Sequence, residues 1–276
     1  MTVATLAEVL QPALKNSYAV AGLVTLGWED MRAYVAAAEA ESVPLILQAG
    51  PGCRAHTPLP ILGRMFRYLA ENASVPVVAH LDHGYSFDEC REALDCGFTS
   101  VMFDGSRKPL QQNIDETAAI AELAHAAGVS CEGEIGFVGY SGGESSAGTD
   151  PAEAARFAAE TGVDAMAISV GNVHLQQDKD GQLDEPRIRA IEALTRTPLV
   201  IHGGSGVPLA QRRALALGSN VCKFNIGTEL RMVFGEALRK AVNQEPLRFD
   251  RVALLSETHD PIVAAARIVL RNLKQA

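Results

Sequence analysis

The sequence predicts one α/β domain over residues 1–276, a (β/α)8 TIM barrel with an extra C-terminal helix. Three observations predict it. A length of 276 residues is long for an average domain and ordinary for an α/β barrel. Hydrophobic residues make up 47% and aromatic residues only 5%, so Ala, Val, Leu and Ile supply a large core of helices packed on buried strands. Short apolar runs alternate with longer segments of helical period, at a repeat of roughly 30 residues. A doubly wound eight-stranded sheet is the rival arrangement for the same alternation.

The strands are expected at 18–25, 44–49, 75–81, 100–104, 130–135, 165–170, 198–202 and 221–226. Most are continuously apolar, as parallel strands covered on both faces are. Ala, Leu and charged residues at helical spacing mark helices at 28–41, 87–95, 113–127, 151–161, 185–194 and 209–217. Asp150-Pro151 supplies an N-cap followed by proline at the first helical position, and Gly97, Gly128, Gly162 and Gly218 stand where helices should stop. Asp260-Pro261 repeats the start signal, so 261–274 reads as a last helix that closes the barrel or meets a partner subunit.

Lys plus Arg number 24 against 33 Asp plus Glu, a net charge of -9. Binding to nucleic acid or to an anionic membrane surface would need the opposite balance, so neither is an expected partner. A small anion is not excluded, because a few local donors hold one phosphate. No apolar run has the length of a membrane span, and the N-terminal residues carry neither a basic region nor a cleavage site, so the expected location is cytoplasmic. The five cysteines (Cys53, Cys90, Cys96, Cys131, Cys222) include no C-x-x-C pair and read as small core or surface residues.

Barrel active sites form at the C-terminal ends of the strands, so the polar residues there are the candidates. His80, Asp82 and His83 close the third strand, Asp104 and Ser106 the fourth; Glu132 and Glu134 lie along the fifth. His174 follows the sixth, His202 ends the seventh, and Asn225, Gly227 and Thr228 end the eighth. His83, His174 and His202, on separate strands with carboxylates between them, read as three ligands of a catalytic zinc ion with an open position for substrate. Glu134 is an alternative ligand, or a carboxylate orienting one. His80, three positions from His83, reads as a buried, hydrogen-bonded residue, and His56, His125 and His259 lie outside the site. The glycine-rich turn at 202–206 and the segment 225–228 fall where barrels often hold a phosphate. The polar loop 139–149 is a candidate lid, and Glu144 is its one carboxylate able to act as acid or base.

These motifs (HLDHG, MFDGS, E-x-E-I-G, ETGVDAMAISVG followed by His174, IHGGSG-V-P and K-F-N-I-G-T-E-L) resemble the class II, metal-dependent ketose-bisphosphate aldolases, in that family's order over about residues 17 to 232. The resemblance implies a (β/α)8 barrel, zinc on His83, His174 and His202, and reversible aldol cleavage that yields dihydroxyacetone phosphate and an aldehyde. It implies Asp82 as the acid/base at the aldehyde-side hydroxyl, and Gly203, Ser205, Asn225 and Thr228 as the phosphate-binding positions of the ketone half. It also implies a monovalent cation, Na+ or K+, near that phosphate, and a homodimer or homotetramer. Asp82 and His83 would point to opposite sides of an ideal strand, so both serve one site only if the strand ends there. Lys223 is the nearest candidate for Schiff-base chemistry, which this scheme does not need.

Departures from the family pattern bear on substrate. Gly22-Leu23-Val24 stands where A-F-N is usual, Gly50 where Ser or Thr is usual, and Leu175 where Gly follows the histidine. They point to an aldolase with a changed substrate, a non-standard sugar phosphate or sugar acid. A metal-dependent barrel isomerase or hydrolase, or a catalytically silent barrel serving as a partner subunit, are the other classes compatible with these residues.

Overall fold

The computed structural model describes residues 2–274. It begins with elements the strand and helix pattern did not predict, a two-residue strand β1 (Val3–Ala4) and helix α1 (Leu6–Asn16). The chain then runs β2 (Val20–Val24), α2 (Trp28–Glu41), β3 (Leu45–Ala49), α3 (Pro51–His56), α4 (Leu59–Asn72), β4 (Val77–Gly84), α5 (Phe87–Asp95) and β5 (Ser100–Phe103). It continues α6 (Leu110–Ala126), β6 (Ser130–Ile135), α7 (Pro151–Thr161), β7 (Ala165–Ile168), α8 (Glu185–Glu192), β8 (Leu199–Ile201), α9 (Leu209–Gly218) and β9 (Val221–Ile226). Helices α10 (Thr228–Gln244), α11 (Arg251–Ser256) and α12 (His259–Leu273) end it.

All strand pairings are parallel, in the order β1-β4-β3-β2-β9-β8-β7-β6-β5, and β5 pairs back onto β4. That last pairing closes β2–β9 into an eight-stranded barrel and eliminates the open doubly wound sheet. Strand β1 pairs with Val77 and Val78, at the start of β4, before β5 joins that strand at His80. Thr5 begins α1 with a reciprocal capping box, its hydroxyl accepting from the Glu8 N–H while the Glu8 carboxylate accepts from the Thr5 N–H. Leu6, Val9, Leu10 and Ala13 of α1 pack against Val20, Ile46, Val78, Ala165, Ala167 and Val200, the inward residues near the strand starts. Helix α1 therefore plugs the N-terminal mouth, and any chemistry is left to the opposite rim.

The expected last helix is present but begins at His259, so Asp260 and Pro261 lie in its first turn and are not its cap. It packs on α2, α9, α10 and β2, and so closes the barrel wall. Gly97, Gly128 and Gly162 end their helices at positive φ, whereas Gly218 is the last residue of α9 and Ser219 follows it. No helix among the described residues is long and apolar enough to cross a membrane.

Candidate active site

Above the apolar floor the barrel interior turns polar. The His80 ring shares Nδ1 with the Ser100 hydroxyl at 2.8 Å and Nε2 with the Lys223 ammonium at 3.3 Å. Lys223 also donates to Glu132 Oε2 at 2.6 Å, and Glu132 Oε1 meets His202 Nε2 at 3.1 Å. All four of these charged or imidazole side chains are fully buried. His80 is thus the buried, hydrogen-bonded residue expected. Lys223 is held in an ion pair under the site and does not line its cavity, so it is not placed for a Schiff base.

Over this layer His83, His174 and His202 each present a ring nitrogen, all within 4.8 Å of one another. Asp104 takes His83 Nδ1 at 2.8 Å and Glu132 takes His202 Nε2, which leaves His83 Nε2 and His202 Nδ1 to face the group between the rings. His202 Nδ1 and Glu134 Oε2 are buried without hydrogen-bond partners, 3.4 Å apart. Orphaned polar atoms cost about 1–3 kcal/mol each, so their convergence marks a place built for another group. The electrostatics give its sign. Burial alone would lower the His83 pKa, but Asp82, the Asp104 hydrogen bond and Glu134 outweigh it and hold it up to about 10. Burial, then Asp104, pushes Glu134 up to about 8. Burial, then His202 and His83, pushes His174 down to about 3. Carboxylates crowd a cluster of imidazoles that have no room for several protons, and a divalent cation fits that donor set. Glu134 joins His83 and Asp104 in a second group whose ligand atoms also lie within 4.8 Å of one another.

Asp82 and His83 do reach one cavity, but not because the strand ends. Strand β4 continues to Gly84, and its register against β5 shifts from Leu81↔Val101 to Gly84↔Phe103. Two residues, Asp82 and His83, thus oppose one, a β-bulge in which His83 takes φ +53. Arg54 clamps this bulge. Its guanidinium donates to Ala49 O at 2.8 Å, Asp82 O at 2.6 Å and His83 O at 2.8 Å, while Nε pairs with Glu89 at 2.9 Å. No spacing rule singles out Arg54 of α3, because its guanidinium reaches mainly backbone carbonyls, of β3 and β4.

The phosphate candidates gather at the ends of β8 and β9. Gly203 has φ +63, and a Cβ there would sit 2.2 Å from Val173 O, so only glycine fits. The Ser205 hydroxyl accepts from the Gly227 and Glu229 N–H groups, tying the turn to the N-terminus of α10. Arg231 donates to the Thr228 hydroxyl at 3.2 Å, and the Asn225 amide donates to Asp82 Oδ1 at 3.3 Å. Glu229, which would repel an anion, is drawn away by Arg212 at 2.7 Å and by Lys179. Asp82, His83, His174, Gly203, Ser205, Asn225 and Thr228 all line one cavity of about 330 Å3, with Val24, Gly50 and Arg231. Helix N-terminus, glycine turn and cation together are the kind of arrangement that suits an anion.

The family described as fructose-bisphosphate aldolase class-II matches residues 4–276. The chain belongs to that family. A fructose-bisphosphate aldolase of Geobacillus stearothermophilus is 37% identical over 272 residues, covering 96% of this chain and 94% of that one. A 6-phospho-5-dehydro-2-deoxy-D-gluconate aldolase of Shouchella clausii (strain KSM-K16) is 38% identical over 261 residues, 91% of this chain and 88% of that one. Among solved structures, the YdjI aldolase of Escherichia coli K12 superposes with a TM-score of 0.84 at 27% identity, covering 98% of this chain and 97% of that one. The protein is a class II aldolase, a carbon–carbon lyase.

In this aldolase the loop after β6 does not present the carboxylate expected of it. Glu144 pairs with Arg107 at 2.7 Å, both side chains more than half exposed, and it does not line the cavity. The reason is local. A turn from the Tyr140 carbonyl to the Gly143 N–H aims Glu144 outward, and Arg107 waits there, stacked on Phe137 at 4.1 Å. Tyr140 is the loop side chain that does line the cavity. Leu175 has φ +60. The glycine usual there answers to backbone conformation, so this departure is a strained residue at the rim as well as a change of side chain.

Proposed function

We propose that this aldolase holds a catalytic Zn2+ ion on His83, His174 and His202, with Glu134 as an alternative ligand. It cleaves a phosphorylated ketose, or a related sugar acid phosphate, reversibly into dihydroxyacetone phosphate and an aldehyde. The carrying observation is the convergence of His83, His174 and His202 nitrogens within 4.8 Å, with His202 Nδ1 left without a hydrogen-bond partner and with His83 and His174 lining one cavity with Asp82. When bound, zinc supplies Lewis-acid stabilisation of the negative charge that develops on the ketone half.

The chain's own residues do the rest. The ketone-half phosphate seats on Gly203, Ser205 and Thr228 at the α10 N-terminus, with Arg231 adding positive charge. A Na+ or K+ ion near that phosphate completes the expected set. Asp82, steadied at Oδ1 by Asn225, takes the proton from the hydroxyl on the carbon that becomes the aldehyde. The C–C pair then passes to the ketone half; in synthesis Asp82 returns the proton. A Cβ on Gly50 would sit 3.4 Å from Asp82 Oδ2, so its absence leaves the side of the aldehyde half open. That opening, with apolar Val24 in place of an amide, supports a substrate other than the common bisphosphates. The sugar acid named for the Shouchella relative supports the acid-phosphate option. A cytoplasmic location fits the chain's pattern. The nearly full exposure of Leu247 and Phe249 before α11 supports assembly as a homodimer or homotetramer.

The test is the half-reaction. Zinc-loaded protein with dihydroxyacetone phosphate in D2O is expected to exchange a hydroxymethyl proton, followed by NMR, and a chelator is expected to stop it. No exchange in protein shown to carry zinc would overturn the assignment of this donor.

A further inference from the structure

Two of the three candidate ligands are oriented by carboxylates, His83 by Asp104 and His202 by Glu132. Such partners fix ring orientation at metal sites. Among the described residues the His174 ring has no hydrogen-bond partner, and it sits on irregular chain beyond β7, next to the strained Leu175. Something else must hold it. Its main chain is bound on both sides by the loop after β6: the His174 N–H donates to Gly139 O at 2.8 Å, and the Ser141 N–H donates to His174 O at 2.9 Å. Between those two anchors stands Tyr140, whose ring stacks on the imidazole with centroids 4.9 Å apart and planes 27° apart. Tyr140 is 38% exposed, so its ring is not there to fill a core.

We propose that Tyr140 is a positioning residue for His174, taking by stacking the part that Asp104 and Glu132 take by hydrogen bonding. This inference rests on the reading of His174 as a metal ligand, not on the identity of the substrate. The loop is thereby part of the metal site through Tyr140, while its carboxylate Glu144 stays outside, paired with Arg107.

The test reads metal binding directly. Tyr140→Phe keeps the ring and is expected to match wild type in zinc affinity, measured by competition with a chromophoric chelator. Tyr140→Ala is expected to bind zinc about 10-fold more weakly. The cobalt-substituted Tyr140→Ala protein is expected to show an altered visible absorption spectrum that Tyr140→Phe restores. If Tyr140→Ala lowers the melting temperature of the metal-free protein, Tyr140→Leu, which keeps bulk without a ring, carries the same comparison. Wild-type zinc affinity and an unchanged cobalt spectrum in the ring-less variants overturn the proposal. A wild-type protein that binds zinc but exchanges no donor protons overturns the proposed donor and leaves this inference standing.

Discussion

Asp82 has one oxygen hydrogen-bonded to Asn225 and the other beside the open position at Gly50, in the wall of the cavity. A base that moves one proton in the transition state contributes typically 10^2- to 10^4-fold, so Asp82→Asn is expected to lower kcat by about that factor. Zinc content should be unchanged, because the amide keeps the shape and His83 keeps its bulge. Steady-state kinetics beside metal analysis checks both; equal activity would remove Asp82 from the chemistry. That Asp82 reaches the cavity at this rim was legible from its strand-end position. Its orientation beside His83 was not: that Asp82 and His83 share a cavity depends on a bulge and on a φ of +53, which no side-chain periodicity encodes. Glu144 shows the converse. It was the right residue type in the right loop, and an arginine distant in sequence turned it outward.

At the scale of elements, α12 is locked to α2 through Glu41. Its nearly buried carboxylate meets Arg267 at 2.7 Å, Arg271 at 2.8 Å and Lys274 at 3.1 Å. The Arg271 hydrogen bond, against the opposing effect of burial and with help from Arg267 and Lys274, holds the Glu41 pKa at about 2. A depressed carboxylate stabilises the fold above its unfolded pKa, and that stability is lost as pH falls from about 4.5 through about 2. With discount for the partly exposed cations, the contribution is about 1–2 kcal/mol. Glu41→Gln is therefore expected to be less stable than wild type by that amount at pH 7 in urea unfolding, the two curves converging toward pH 2. A constant gap across that range would assign the effect to packing instead. The last helix itself was readable from Asp260-Pro261, with its start misplaced by two residues because Thr258 already has right-handed helical backbone and His259 opens the first turn. Helix α1 was passed over although Thr5 and Glu8 form a T-x-x-E capping box, and β1 is two residues long and too short for any period to register.

For the whole molecule, the proposed metal would couple to the fold, because the three histidines that would hold it come from β4 and from the chain beyond β7 and β8. A ligand that binds only the folded state at 1,000 times its Kd adds about 4 kcal/mol. Chelator is expected to lower Tm by several degrees, and zinc to restore it. Zinc must displace the proton that Asp82, Asp104 and Glu134 hold on His83 up to about pH 10, so the zinc-dependent rise in Tm should grow from pH 6 to pH 9. Calorimetry across that range decides it; a rise independent of pH would mean His83 enters the site already neutral. The sequence by itself determined the alternation of buried strands with helices, the net negative charge and the set of side chains brought to one rim, because each follows from composition, local period and chain order. Only the tertiary structure decided which of those side chains face one another. Barrel closure by β4 and β5, the Arg54-clamped bulge, the outward Glu144 and the Tyr140–His174 stack all depend on contacts between residues far apart in the chain, where local pattern carries no information.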